Sequence, residues 1–124
     1  MNFRSGALAA PLMAALSLPA LAGGVNGEWA NVDGRSRVRF AQCGDAVCGV
    51  ISWLKDPTGS AKVGQKVYFD MKPSGDDAWA GSAFNPEDGK TYSGKMTLSG
   101  DTLSTAGCVL GGLICKSVDW TRAH

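Results

Sequence analysis

The sequence has 124 residues, 44% of them hydrophobic and 19% charged, with a net charge of +1. That length holds one domain and not two, and the composition excludes a highly charged disordered chain. No basic or acidic run occurs, which argues against a dedicated nucleic-acid or polybasic membrane binder.

The first segment reads as an address. Arg4 supplies a short positive region, Ala7 to Leu18 an apolar stretch, and Ala20-Leu21-Ala22 the small-x-small pattern of a secretory cleavage site. The stretch is too short to span the ~30 Å hydrocarbon core of a bilayer. The expectation is a signal peptide over 1–22 and a single domain over 23–124, periplasmic or secreted, with no transmembrane segment once the leader is removed. A chain of that size buries only about 60–65% of its unfolded surface and benefits from covalent staples. The four cysteines, in the close pairs Cys43/Cys48 and Cys108/Cys115, read as such staples in an oxidising compartment. A four-cysteine zinc site is the rival, but its ligand spacings here are longer than usual.

After the leader no apolar stripe of helical period occurs. Turn signals recur every eight to twelve residues, the pattern of an all-β sandwich or barrel. Strands are predicted near 27–32, 35–43, 47–54, 65–71, 78–84, 91–98, 101–108 and 113–122. If Cys43 faces Cys48 across a turn at Gly44-Asp45, Phe40 meets Ile51 and Val38 meets Trp53 on an apolar face. Arg39 then meets Ser52 and Arg37 meets Leu54 on the other. The segment 55–77 is the least defined, with loops at 56–60 and 72–76 around the apolar run Val67 to Met71.

Asn85-Pro86-Glu87-Asp88-Gly89-Lys90 is turn chemistry throughout. Pairing across it sets Trp79 opposite Met96, Gly81 opposite Gly94 and Ala83 opposite Tyr92. In the last hairpin, setting Cys108 opposite Cys115 brings Leu103 to Trp120 and Thr105 to Val118, while Ser104 faces Asp119. A one-residue slip in either cysteine hairpin would put apolar residues opposite polar ones. Local disulfides are favoured on that ground, with the long-range connectivities left open. The fold class expected is all-β, a small antiparallel up-and-down barrel of about eight strands. An open sandwich is the other architecture this spacing allows.

Two resemblances bear on the fold. Gly27-Glu28-Trp29 opening the first strand and Thr121-Arg122 closing the last resemble the lipocalin and calycin signature. There the tryptophan lies across the bottom of the barrel under an arginine of the final strand, a cation–π stack joining first strand to last. More specifically, three runs resemble the bacterial domain-of-unknown-function family 2147, small exported proteins of the cell envelope. They are Cys43 to Gly49, Trp79-Ala80-Gly81 with Asn85 to Gly94, and Gly107-Cys108 through Cys115 to Arg122. The resemblance implies a lipocalin-like barrel and an exported location. It implies no reaction and no catalytic residue.

Chemistry of the usual kinds is missing from the sequence. The sole histidine is His124, so no Ser/His or Cys/His nucleophile pair can be assembled. Asp76-Asp77 and Glu87-Asp88 sit in loops and read as solvated turn residues. Neither a calcium loop nor a P-loop is present, and no enzyme activity, cofactor, metal or nucleic-acid partner is expected. The informative set is aromatic. Trp29, Trp53, Trp79, Tyr92, Met96 and Trp120 fall on inward faces, with Arg122 two residues beyond Trp120. Gly49, Gly81, Gly94 and Gly107 also face inward, either making room for rings or leaving space for a guest. The two readings are a pocket for a small, partly apolar ligand and, as the alternative, an envelope protein with a solid barrel core that acts through protein–protein interaction or as a stress-related structural module. Arg35, Arg37 and Arg39 are expected to line an outward face.

Overall fold

The structure is a computed structural model and describes residues 24–123. The leader over 1–22, the predicted start of the domain at Gly23 and His124 lie outside the described residues. Within them the chain forms β1 (Gly27–Asn31), β2 (Ser36–Cys43), β3 (Ala46–Leu54), β4 (Lys66–Gly75), β5 (Ala78–Asn85), β6 (Lys90–Ser99), β7 (Thr102–Val109) and β8 (Ile114–Arg122). A 3₁₀ turn at Leu110–Gly112 joins the last two. Each strand pairs antiparallel with the next and β8 pairs with β1, closing a barrel and leaving no sheet edge.

The closing ladder joins Trp29, Ala30 and Asn31 to Arg122, Thr121 and Trp120, and its first pair also stacks side chain on side chain. Trp29 lies opposite Arg122 in the β1–β8 ladder. The Arg122 guanidinium carbon stands 4.3 Å from the Trp29 ring centroid. Arg122 also donates from Nη2 to the Gly24 carbonyl at 3.0 Å and from Nη1 to the Asn26 carbonyl at 3.4 Å. Trp29 is fully buried, and its indole Nε1 donates to the Val25 carbonyl at 2.9 Å. The stack, its backbone partners and Val25 form a plug at one end of the barrel. Gly27 serves it through conformation rather than space. Its φ is +121°, which side chains rarely adopt, while a Cβ there would sit 3.8 Å from Arg122 in ordinary contact.

The β5–β6 and β7–β8 hairpins pair as the alternation of their sequences requires, with Trp79 opposite Met96, Ala83 opposite Tyr92 and Leu103 opposite Trp120. The disulfides join Cys43 to Cys48 and Cys108 to Cys115. Cys108 and Cys115 are direct cross-strand partners.

The β2–β3 hairpin departs from expectation. Gly44, at φ +64°, allows a two-residue turn, so Cys43 faces Ala46, Phe40 faces Gly49 and Val38 faces Ile51. The shift is two residues, so the inward and outward faces survive, and the disulfide runs diagonally. Phe40 accounts for this register: a Cβ at Gly49 would lie 2.7 Å from Cε2 of its ring. A bulge then intervenes between the Val38–Ile51 and Arg37–Trp53 pairs, leaving Ser52 as the extra residue. It reverses the face of everything beyond it. Trp53 turns outward and is 44% exposed, with the Arg37 guanidinium carbon 5.7 Å from its ring centroid. Leu54 packs against the core in its place.

β4 also runs further than expected, through Pro73 to Gly75. Proline is tolerated because register shifts lie on both sides of it, where the ladder is already interrupted. Arg37 and Arg39 are outward and meet Glu28 at 3.8 and 2.6 Å. Arg35 lies in the β1–β2 loop instead, paired with Asp33 at 2.7 Å.

The inward glycines mostly accommodate the chain itself. A Cβ on Gly81 would lie 2.4 Å from the Asp70 carbonyl oxygen, and one on Gly94 would lie 3.0 Å from the Met71 methyl carbon. Gly107 is different, since a Cβ there would meet Tyr92 at an ordinary 3.4 Å.

Two stability comparisons follow. Arg122→Ala should lower unfolding free energy in urea by about 2 kcal/mol, because it removes a partly desolvated stack, two carbonyl partners and an ion pair with Asp101. Arg37→Ala, on an exposed pair, should cost under about 1 kcal/mol; equal small effects would overturn the plug's role in closure. Gly81→Ala should cost about 2–3 kcal/mol by collision with backbone, and Gly107→Ala under about 1 kcal/mol.

Candidate functional site

Up-and-down connectivity sends the β1–β2, β3–β4, β5–β6 and β7–β8 loops to the end opposite the Trp29–Arg122 plug. That end is open. A cavity of about 590 Å³ enters the barrel there, within the roughly 300–1,000 Å³ usual for small-molecule sites. Its walls are Val38, Ile51, Val67, Tyr68, Val118 and Trp120, with Tyr92 and Gly107 on the β6–β7 side. Arg35, Glu87, Asp88 and Lys116 stand at its rim.

The interior is therefore divided. Trp29, Met71, Met96 and Leu103 fill the plugged half as close-packed core. The open half holds one polar knot. Thr105 is the buried polar residue of the interior. Its hydroxyl lies within donating reach of the Val118 carbonyl at 3.4 Å. It accepts from Trp120 Nε1 at 3.0 Å and shares a 2.9 Å hydrogen bond with the Tyr68 hydroxyl, in which either oxygen can donate. This satisfies the Trp120 indole and fixes both rings, which meet edge to face with centroids 6.5 Å apart. Burial pushes the Tyr68 phenol above its usual value, with the hydrogen bond to Thr105 and the nearby Trp120 N–H acting in the opposite direction. It is a neutral group at physiological pH.

The β5–β6 turn is fixed from its own sequence. Asn85 Oδ1 accepts from the Glu87 backbone at 2.9 Å, and Gly89, at φ +72°, returns its N–H to the Asn85 carbonyl at 2.8 Å. Tyr92, whose ring lines the cavity, donates its hydroxyl to Asp88 Oδ2. That bond, with a second from the Lys90 backbone, holds the Asp88 carboxyl below the usual carboxylate range.

The pocket candidates of the sequence separate into four places. Tyr92 and Trp120 line the cavity. Trp29 and Met96 are packed core, with Arg122 covering Trp29. Trp79 lines a smaller cleft of about 310 Å³ near the plugged end. Trp53 is on the outer wall because of the bulge. Tyr68 was missed, since it sits in the segment 55–77 where no alternation was legible. Thr105 had a signal: a lone inward hydroxyl two residues from Leu103, on the strand facing Trp120.

Residues 27–122 match the model of a family described as an uncharacterized protein conserved in bacteria (DUF2147). The chain belongs to this family. Among curated proteins none matches. Among solved structures it is similar to the protein HP1028 from the human pathogen Helicobacter pylori, described as belonging to the lipocalin family. The TM-score is 0.69 and the identity 18%, over 81% of this chain and 83% of that one. At that identity the likeness is one of fold, and it agrees with the closed eight-strand barrel seen here.

The knot predicts a pH effect. Tyr68 favours its protonated form when folded, so its contribution is complete below the unfolded tyrosine pKa near 10 and is lost as pH rises through the higher folded value. Chemical denaturation across pH 8–11 should show the wild type losing stability relative to Tyr68→Phe only above about pH 10. Thr105→Val should cost about 1–3 kcal/mol at neutral pH, because Trp120 Nε1 loses its partner.

Proposed function

We propose that this DUF2147 member is an exported protein that binds a small, partly apolar molecule in the mouth of its barrel, and that its role is binding rather than catalysis. The observation that carries the reading is the cavity of about 590 Å³, walled by apolar and aromatic side chains around the Thr105 knot. Such a site offers burial as its main attraction, at about 25 cal/mol per Å² of apolar surface. Its few polar groups orient a guest. The buried polar side chains at its floor satisfy one another, which suits a fixed wall better than a reacting group. The two disulfides support an oxidising compartment, as does the leader read from 1–22. No helix among the described residues is long and apolar enough to cross a membrane.

Titration with 1-anilinonaphthalene-8-sulfonate tests the reading. A saturable site should appear, with quenching of the Trp120 indole. Val118→Phe, which fills the cavity from β8, should weaken binding at least tenfold with the far-UV dichroism unchanged. Trp53→Ala on the outer wall should bind as wild type. No saturable site, or binding indifferent to Val118→Phe, would overturn it.

A further inference from the structure

The exposed apolar side chains are not scattered over the surface. Among the described residues, the large ones are Val32, Val63, Val109, Leu110, Leu113 and Ile114 at the open end, and Trp53 on the wall. Four of them form the β7–β8 loop, Val109-Leu110-Gly111-Gly112-Leu113-Ile114, where Leu110 is 68% and Leu113 84% exposed. A loop in water normally carries polar residues; this one carries none. It is also anchored. The Cys108–Cys115 disulfide crosses its base, and Leu113 N–H returns to the Leu110 carbonyl. Val109 and Ile114 belong both to this lip and to the cavity wall, so the apolar surface runs from the loop into the barrel.

Charge divides along the same axis. No basic run exists in the sequence, but the topology gathers lysines. Lys55, Lys62, Lys66, Lys90 and Lys116 lie in or beside the open-end loops. Lys95 reaches up the outer wall until its ammonium is 3.9 Å from where a Cβ on Gly112 would stand. Among the described residues none of these forms an ion pair, whereas Lys72, near the plugged end, pairs with Asp45. The plugged end has Asp45, Asp76, Asp77 and Asp101 on its turns, of which Asp45 pairs with Lys72 and Asp101 with Arg122 at 3.5 Å, leaving Asp76 and Asp77 unpaired among the described residues. At the open end Asp33 is committed to Arg35, and Asp56 is turned onto Thr58. Glu87 and Asp88 on the β5–β6 turn are the opposing charges there, which leaves the β7–β8 lip as the leading edge.

We propose that the open end docks on an anionic phospholipid surface, with the β7–β8 loop inserted as an apolar lip and the surrounding lysines on the headgroups. An apolar tip flanked by unpaired cations is what such an interface takes. The unpaired Asp76 and Asp77 at the far end favour the same orientation by repulsion. A second copy docked lip to lip would instead bring two lysine sets together. The orientation would place the cavity mouth against the membrane, where a partly apolar guest could pass without crossing water. Docking itself does not depend on the cavity being occupied.

Vesicle co-sedimentation of the chain from Gly23 onward, which contains every strand and both disulfides, tests the proposal. Binding to phosphatidylcholine vesicles containing phosphatidylglycerol should exceed binding to phosphatidylcholine alone at least tenfold, and should weaken with added salt. The double variant Leu110→Asn/Leu113→Ser should bind at least tenfold more weakly; asparagine tolerates the positive φ that Leu110 adopts. Lys95→Glu/Lys116→Glu should show a comparable loss, as an independent reading of the same surface. Trp53→Ser should sediment as wild type, and so should Val118→Phe, which separates docking from guest binding. Failure of the wild type to sediment with anionic vesicles, or undiminished binding by the leucine variant, would overturn the proposal. So would a concentration-dependent dimer in gel filtration that the leucine variant abolishes while vesicles bind neither form; the lip would then belong to a second copy.

Discussion

The covering of Trp29 by Arg122 is the contact on which the rest of the molecule depends. A sheet of short strands with a free first and last edge would expose unpaired backbone on both sides. The stack ties β1 to β8 where the ladder must close, and does so with a guanidinium that also satisfies two carbonyls of the incoming chain. A charged group in that position is stable because the indole face and the carbonyls replace the water it loses. Closing one end with a large flat ring has a second consequence. The opposite end has no equivalent plug, so the barrel has a floor and a mouth.

Between floor and mouth the interior changes character at Thr105. Below it, Met71, Met96, Leu103 and Trp29 interdigitate, and the inward glycines let strands and side chains approach one another. Above it, Val38, Ile51, Val67 and Trp120 continue the core as the cavity wall, and the hydroxyl knot fixes Tyr68 and Trp120 edge to face. The knot thus does for the cavity what the cation does for the floor: it fixes aromatic rings through polar atoms that have no unsatisfied partner of their own. The apolar lip and the lysines continue this asymmetry outside the barrel, so one axis organises packing, hollow space and surface charge together.

Bulges decide which aromatic rings take part. Ser52, inserted opposite β2, sends Trp53 to the outer wall and Leu54 inward. The shifts in β4 let Pro73 remain in a strand and bring Tyr68 to the cavity. Each is a one-residue event with an effect on every residue beyond it, because side chains in a strand alternate with a period of two.

Much was legible in the residues alone. The all-β class, the preference for local disulfides and the registers of β5–β6 and β7–β8 follow from alternation, turn chemistry and cysteine spacing, while the joining of Trp29 to Arg122 follows from the resemblance to the lipocalin signature. All but the last are local properties, set by a strand and the turn beside it. What only the tertiary structure decided is what depends on partners distant in sequence. The β2–β3 register answers to the ring of Phe40 over Gly49, and the place of Trp53 to a bulge. The volume of the cavity is the difference between barrel width and the side chains that happen to meet inside it. The gathering of isolated lysines and leucines at one end belongs to the same class, since alternating strand direction brings every second loop to the same end of the barrel, however far apart those loops lie in the chain.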